Sequence, residues 1–397
     1  MNDLMTQTST PKTVDWDPTT APVTDNPLGW QEKMRIERPT PWTDNGNGFW
    51  SLVRYDDIAA AAMNVKVFSS EITPRFADGR VPPVEVDRPR HTVFRRALTK
   101  YFKREAIEAL EPVTRELAVK RLLPLINAGG GDFATNFAYP FPAEVICAFL
   151  GIPVEDAVAL KRWAGESFIY RADRENKPEL AQQAEENLTR YAEKLIEERS
   201  RLALDPEEDM IAGLMEFEYD GRKLTRTEVG RVVRLMLSAG HNNTTSSTGI
   251  TLMKIAENPE IQKALRADYS LIPNAILEFL RHESPAMTSR RILKEDIQIG
   301  DQVLPAGDEV MFFWSSANRD GEHFENVDEI DIYRDNTSAM TFGWGPHRCL
   351  GLSIALMEIR IAVEELFDRT EWVELAGTPE RMTWERLGVT KLPLSVR

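Results

Sequence analysis

One cysteine in a glycine-rich run is the residue of this chain best suited to do chemistry. Cys349 lies near the end of the run Phe-Gly-Trp-Gly-Pro-His-Arg-Cys-Leu-Gly, residues 342–351, which directly precedes an apolar helical pattern over residues 352–367. The free N–H groups at the start of such a helix favour a thiolate, and glycines let a flat ligand approach the backbone. A thiolate held in this way can bind haem iron and push electron density toward O–O cleavage.

The same run resembles the haem-binding loop of the cytochrome P-450 family, whose pattern is Phe-Gly-x-Gly-x-His-x-Cys-x-Gly. Every fixed position of that pattern is filled here. The resemblance implies haem b (iron protoporphyrin IX) as cofactor and Cys349 as the metal ligand. It also implies that Phe342, Gly343 and Gly351 lie against the cofactor. The alternative is a structural cysteine buried in a turn.

Basic side chains elsewhere in the chain are suited to bind the two carboxylates of a haem. His91 and Arg95 are four residues apart, so they share a helix face, and charge-assisted hydrogen bonds suit a carboxylate. They resemble the family's His-x-x-x-Arg pair, and Arg291 and His347 fall at two further positions where the family binds propionates. The alternative is an ordinary solvated basic face, which we accept for the arginines at positions 90 and 96.

A polar run interrupts the middle of the longest predicted helix. Ala239 and Gly240 are small enough for a flat cofactor to lie against the helix, whereas the residues after them compete with its backbone hydrogen bonds. The run resembles the family's distal Ala/Gly-Gly-x-Asp/Glu-Thr, which helps to deliver protons, but Asn242 replaces the acid and Asn243 the Thr. Because an amide donates no titratable proton, either ordered water relays protons or Thr244 supplies the missing hydroxyl. A solvated polar helix turn is the alternative.

A further pair of charges is expected to be structural. Glu278 and Arg281 are three residues apart on a predicted helix, a spacing at which opposite charges pair. Such pairs are usually solvated on the surface. These two resemble the family's Glu-x-x-Arg motif, which braces the core on the haem side, and Arg334 is the expected third partner.

The periodicity of the chain predicts a mainly α fold with a small β region. We expect an extended N-terminal arm over residues 1–28 and one haem-thiolate catalytic domain over 29–397. The resemblance implies a single triangular domain of cytochrome P-450 type, with haem between the long distal helix and the helix after the Cys loop. Apolar periodicity and Pro/Gly breaks predict helices over residues 55–64, 90–102, 105–127, 137–150, 155–171, 177–203, 225–257 and 272–283. Strands are predicted over residues 48–54, 297–304, 309–313 and 389–397.

Composition excludes several classes of function. The net charge of −15 and pI of about 5.0 argue against a nucleic-acid-binding surface. The 2 cysteines are too few for a zinc or iron–sulfur site, and Cys147 lies in an apolar helical pattern typical of a core. The first thirty residues hold no apolar stretch long enough for a membrane anchor. We therefore expect a cytoplasmic protein with no membrane contact.

Several apolar segments are expected to wall a substrate pocket, among them the long loop over residues 69–90. They are more often plain core, but their character suggests a substrate held mainly by shape. The candidate substrate contacts are Phe76, Val81, Phe168, Ile169, Leu235, Met287 and Val389.

The resemblance implies a haem-thiolate monooxygenase that uses dioxygen to hydroxylate a small to medium apolar or aromatic substrate, or to dealkylate it at O, N or S. The chain shows no phosphate-cradling glycine loop and no cysteine quartet. Electrons are therefore expected from a separate ferredoxin and ferredoxin reductase, unless a reductase is fused to the chain. A basic patch of Lys100, Lys103, Arg104, Arg334 and Arg348 would suit an acidic ferredoxin. The alternatives are a peroxide-driven haem-thiolate enzyme and, ranked last, a haem-based sensor or carrier.

Overall fold

Helices make up most of the protein. The computed structural model describes residues 12–72, 74, 79–172, 178–382 and 384–397. The α-helices, in chain order, are α1 (Ala21–Thr24), α2 (Pro27–Glu37), α3 (Tyr55–Met63), α4 (Arg90–Thr99), α5 (Arg104–Asn127), α6 (Phe141–Phe149), α7 (Ala157–Ala172), α8 (Pro178–Arg201), α9 (Met210–Glu216), α10 (Arg226–Glu257), α11 (Pro259–Ala267), α12 (Ile272–His282), α13 (Trp314–Ala317) and α14 (Leu352–Phe367).

The strands are short and form small sheets. They are β1 (Trp42–Thr43), β2 (Phe49–Leu52), β3 (Phe68–Ser69), β4 (Gly130–Asp132), β5 (Glu218–Tyr219), β6 (Arg222–Lys223), β7 (Thr288–Leu293), β8 (Ile297–Ile299), β9 (Gln302–Leu304), β10 (Glu309–Phe313), β11 (Val373–Leu375), β12 (Glu380–Met382), β13 (Gly388–Lys391) and β14 (Pro393–Val396). The largest sheet has the order β1-β2-β10-β7-β3, in which only β2 and β10 run parallel. A three-stranded sheet has the order β11-β14-β4.

The long helix α10 forms the centre of the helical region. Its 32 residues correspond to a length of about 48 Å at 1.5 Å per residue. It begins with a capping box, in which the side chains of Thr225 and Glu228 each accept a bond from the other's backbone N–H. Helices α6, α7, α8, α12 and α14 all pack against it. A residue in the middle of α10 can therefore reach several elements at once.

The predicted fold class is confirmed, and most of the predicted helices are present within a few residues of their predicted ends. The clearest difference lies near the N terminus. Residues 12–28 of the predicted extended arm include α1 and the start of α2, and Trp16 is buried in an aromatic cluster. Helix α2 was not predicted, because its polar, proline-containing sequence gives little periodicity, although Asn26 caps it and Pro27 opens it.

Candidate active site

The loop that carries Cys349 is held by its own backbone. The Cys349 N–H donates to the Phe342 carbonyl at 2.8 Å, closing the loop just before α14. Gly343 and Gly345 have φ values of +74° and +71°, which side chains other than glycine rarely adopt. A Cβ atom at Gly345 would also lie 2.7 Å from the Ala62 carbonyl oxygen. The two glycines therefore set the path that presents the cysteine.

We infer that Cys349 lies in a cleft rather than on an open surface. Its side chain is exposed, yet burial by the surrounding protein raises its pKa, so the thiol is accessible while being enclosed on most sides. The Gly351 N–H and the charges of Arg95 and Arg348 act in the opposite direction and favour the thiolate. A bound metal cation would strengthen that preference, because a coordinating thiol is deprotonated outright.

Two histidines meet beside this loop. His91, from α4, is 4% exposed, and its ring centre lies 4.2 Å from that of His347 in the Cys loop. Within the part of the chain that the structure describes, neither nitrogen of His91 has a hydrogen-bond partner of normal geometry, although the Pro346 carbonyl is near enough to oppose the lowering of its pKa by burial. His347 Nε2 is hydrogen-bonded to Ser70 Oγ at 3.1 Å. A buried imidazole that lacks a well-formed hydrogen bond is costly, so His91 is suited to bind a polar ligand.

Two arginines complete a cluster of basic groups. No ion pair among the described residues joins Arg95 or Arg291 to a carboxylate. Burial lowers the pKa of Arg291 to about 10 and also lowers that of Arg95, which is close enough to interact with the Cys349 thiolate. Burial and the charges of Arg291, His91 and Arg95 lower the pKa of His347 to about 3.

This basic cluster, His91, Arg95, Arg291 and His347, fits the two propionates of a haem. Groups of like sign repel one another when they are buried together, and added anions relieve that repulsion. Asp87 is the nearby acid that opposes the lowered pKa values of His91 and Arg291. Asp87 alone cannot accept all the hydrogen bonds that the four basic side chains can donate. Two propionates would accept the remaining bonds.

The polar run of α10 presents residues to different sides. Ala239 and Asn243, four residues apart, are exposed although the helix runs through the interior, so we infer that they face the cleft. Asn242 is half-buried, whereas Thr244 is buried. A Cβ atom at Gly240 would lie 2.4 Å from Ile146 Cδ1. Packing against α6 therefore accounts for Gly240, and Thr244 is poorly placed to supply a hydroxyl to the cleft.

The structure brings Glu278, Arg281 and Arg334 together as a fully connected group. Glu278 binds Arg281 through two bonds of 2.8 and 2.9 Å and accepts a third from Arg334 at 3.2 Å. Arg281 also donates to the carbonyls of Asn318 and Val327. The group joins α12 to the irregular segment that leads to the Cys loop.

The predicted substrate contacts are scattered. Val81 and Leu235 pack together in a small cluster, whereas Met287 and Val389 belong to two larger cores. Phe76 lies outside the described residues, as do the side chains of Phe168 and Ile169. All four described side chains are buried, which favours a packing role for Met287 and Val389.

Sequence reasoning missed Asp87 and Ser70. Asp87 accepts bonds from Ser69 Oγ and the Ser70 N–H, and this fixes the loop that contacts His347. The one available signal for Asp87 is its position four residues before His91. Ser70 gave no signal, because a lone serine in a loop matches no pattern.

The comparisons with known proteins agree with this geometry. A family model described as cytochrome P-450 matches residues 167–397. The chain belongs to the cytochrome P-450 family. It is 31% identical to cytochrome P-450 107B1 of Saccharopolyspora erythraea, over 89% of this chain and 90% of that protein. It is also 31% identical to the cyclomarin C epoxidase CymV of Salinispora arenicola, over 88% of this chain and 90% of that protein.

Solved structures show the same fold. CYP109E1 of Bacillus megaterium, determined in complex with testosterone, matches with a TM-score of 0.85 and 28% identity, over 95% of this chain and 99% of that one. This P-450 is accordingly a monooxygenase by family, and the family implies a haem cofactor. Within the described residues, no helix is long and apolar enough to cross a membrane.

Proposed function

We propose that this P-450 holds haem b through Cys349 and inserts one oxygen atom into a small to medium apolar substrate, with electrons supplied by a separate ferredoxin and its reductase. The observation that carries the proposal is the basic cluster beside an accessible, desolvated thiol. It holds more donors than the described residues around it use, and among those residues neither ring nitrogen of His91 has a hydrogen-bond partner of normal geometry. A dianionic flat cofactor with a metal centre needs this combination.

Each group of site residues would have its own role. When bound, the haem supplies the oxygen-activating chemistry. Cys349 would donate electron density as its thiolate ligand, while His91, Arg95, Arg291 and His347 would hold its carboxylates. Asn243, on the exposed face of α10, would orient water in the cleft through its amide, which both donates and accepts hydrogen bonds.

The substrate class follows from the cleft and from the relatives. Val81, in the loop before α4, and Leu235, in the middle of α10, pack together as a buried apolar pair, and this pair would form part of the wall of an apolar pocket. CYP109E1 binds testosterone and CymV is named as an epoxidase of cyclomarin C. Testosterone is apolar and of medium size, which supports a substrate of that class for this chain, recognised mainly by shape.

The predicted ferredoxin patch is smaller than expected. Lys100 is paired with Glu207, Arg104 with Glu108, and Arg334 with Glu278. Lys103 and Arg348 are exposed. These two would give the electron donor a weak electrostatic attraction that fades with salt. We place the partner on this side because Arg348 adjoins Cys349.

The absorption spectrum of the reduced protein under carbon monoxide tests the proposal. We expect a strongly red-shifted Soret band in the wild type and in Cys147→Ala, since Cys147 is buried in the α6 core and burial raises its pKa to about 12. Cys349→Ser should lose the shifted band while keeping its fold by circular dichroism. A wild-type band at the position typical of histidine-ligated haem would refute the proposal.

A peroxide-driven enzyme is the second candidate. It is favoured by one observation, namely that Asn242 and Asn243 stand where the family places an acid and a hydroxyl. Product formation with hydrogen peroxide but none with a ferredoxin system would select it. Efficient turnover with ferredoxin, at a ratio near one product per electron pair, would select the monooxygenase.

A further inference from the structure

A second group of buried polar side chains lies behind α10, away from the cleft. Lys161 on α7 is 2% exposed, Glu358 on α14 is 1% exposed, and His241 on α10 is fully buried. Residues 241 and 245 lie on the face of α10 opposite Ala239 and Asn243, because each residue turns the helix by about 100°. We call Lys161, Glu358, His241 and Thr245 the back cluster. None of these residues belongs to the haem site described above.

Lys161 connects this helix face to the protein surface. Its Nζ donates to Thr245 Oγ1 at 2.5 Å and approaches the His241 carbonyl at 3.5 Å. On its other side, Nζ lies 4.1 Å from the ring centre of Tyr139, and Tyr139 is 48% exposed. The ring that contacts the ammonium group thus belongs to a residue that also reaches solvent.

The charge of Lys161 is poorly compensated. Among the described residues no ion pair within 4.0 Å joins it to a carboxylate, and burial of an unpaired ammonium is costly. Burial and the charge of Arg386 lower its pKa to about 7, while Glu358 opposes that change. Burial raises the pKa of Glu358 well above its ordinary value. A lysine of this kind can release and regain a proton near neutral pH.

The side chains of His241 and Glu358 are less suited to this exchange. Burial and the nearby Lys161 lower the pKa of His241 to about 4, so its ring stays neutral. Its Nε2–H donates to the Leu237 carbonyl at 2.6 Å, which holds the ring along its own helix. Among the described residues, Glu358 Oε2 has no hydrogen-bond partner, so no observed contact links this oxygen to Thr245.

Thr245 links Lys161 to the position where the acid is missing. Thr245 and Asn242 are three residues apart, so their side chains are neighbours on one flank of α10. Asn242 is half-buried and lies between this flank and the cleft-facing residues. The Thr245 hydroxyl accepts from Lys161 and donates to the His241 carbonyl at 2.7 Å. It is therefore placed to exchange one proton for another.

We propose that Lys161 is the proton-exchanging residue that replaces the acid absent at position 242, and that it acts through Thr245. The proposal rests on the proposed monooxygenase function, which consumes protons. The Thr245 hydroxyl turns away from the His241 carbonyl and gives its proton to a water molecule beside Asn242, while Lys161 Nζ supplies a proton to Thr245 Oγ1. The neutral amine then regains a proton from solvent at the Tyr139 side, so the protein's charge is unchanged after one cycle.

The first test measures the proton on Lys161 directly. The holoenzyme is labelled with [13C,15N]lysine, reduced and bound to carbon monoxide, which makes it diamagnetic. The Lys161 side-chain signal is assigned by its loss in Lys161→Arg. We expect it to titrate near pH 7. A midpoint above about 9, close to that of an ordinary lysine, would overturn the proposal whether or not any variant folds.

The second test separates proton exchange from simple charge. Lys161→Gln and Lys161→Arg should both form at least about tenfold less product per electron pair, with unchanged KM, since proton-transfer groups commonly contribute more than that. In the wild type, the amount of product per electron pair should fall as pH rises through 7. This pH dependence should be absent from both variants. Lys194→Gln, which removes an exposed lysine from α8, is the matched control.

Arginine keeps the positive charge but cannot release its proton. If Lys161→Arg formed as much product per electron pair as the wild type, Lys161 would have a structural role and the proposal would be overturned. Both variants must show the red-shifted carbon monoxide band. Loss of that band in the wild type would instead refute the haem-thiolate function itself, so the two failures are distinguishable.

Discussion

Arg95 and Arg96 are adjacent on α4 but have opposite environments. Arg95 is half-buried beside Cys349, whereas Arg96 is exposed and lies over the ring of Phe217. We predict that Arg95→Gln weakens haem retention by about tenfold or more, because a hydrogen bond to a charged group is worth about 1.5–3 kcal/mol. The rate of haem transfer to excess apomyoglobin measures this. Arg96→Gln is the control, and equal haem loss in both variants would contradict a propionate role for Arg95.

His241 should make the protein sensitive to acid. Its pKa is lowered to about 4 in the folded protein and is about 6.5 when unfolded. Between these values the unfolded chain binds a proton that the folded chain does not, so stability falls as pH drops from 6.5 to 4. A shift of this size corresponds to about 3 kcal/mol.

The comparison with His241→Gln isolates this contribution. Urea unfolding midpoints of wild type and variant should converge as pH falls from 6.5 toward 4, because the variant lacks the penalty. Their difference should stay constant above pH 6.5. His323→Gln, at an exposed position, controls for loss of a histidine. Parallel curves over the whole range would show that His241 does not titrate in this way.

At the scale of elements, the charged group on α12 should matter more for stability than surface pairs do. Glu278 and Arg281 are fully buried and bonded to each other. Glu278→Gln leaves Arg281 buried without its counter-charge, and we predict a loss of about 3–5 kcal/mol. Glu260→Gln, which breaks the exposed pair with Lys263, should cost at most about 1 kcal/mol. Urea unfolding measures both, and a similar small loss in each would contradict the bracing role.

The elements that the sequence failed to predict have two physical causes. Pro259 marks the end of α10, but it is also the first residue of α11, where its missing N–H costs nothing. Strand β7 lies between β10 and β3 although its sequence carries two adjacent arginines and no alternation. Pairing partners distant in sequence stabilise such a strand. Long amphipathic helices were predictable because their own periodicity defines them.

The candidate site also has parts that the sequence could predict and parts that it could not. The Cys loop could be predicted because its residues are contiguous and its glycines are required locally. The back cluster could not, because Lys161, Glu358 and His241 come from three helices that meet only in the folded protein. Gly240 is a case in which the sequence pattern allowed a second explanation. Its motif position suggested a cofactor contact, but its close packing against Ile146 explains the need for glycine equally well.

At the scale of the whole molecule, an aromatic cluster joins distant parts of the chain. Trp16 packs against Trp30 with ring centres 4.3 Å apart, and against Phe49, Phe313 and Trp384 at 5.7–5.9 Å. The cluster thus connects the N-terminal segment, the large sheet and the turn before β13. That turn continues to Arg386, which bridges to Ala286 beside the sheet.

This arrangement predicts that the N-terminal segment stabilises the catalytic domain. Trp16 is buried and contacts four rings, so Trp16→Ala should cost about 3–5 kcal/mol through the cavity it leaves. Tyr333→Ala, which removes an aromatic ring that is 70% exposed, should change stability by about 0.5 kcal/mol or less. Urea unfolding followed by circular dichroism at helix wavelengths measures both, because the domain should unfold as one unit. If Trp16→Ala did not change the midpoint of the main urea unfolding transition, residues 12–28 would not be part of the cooperatively folded core.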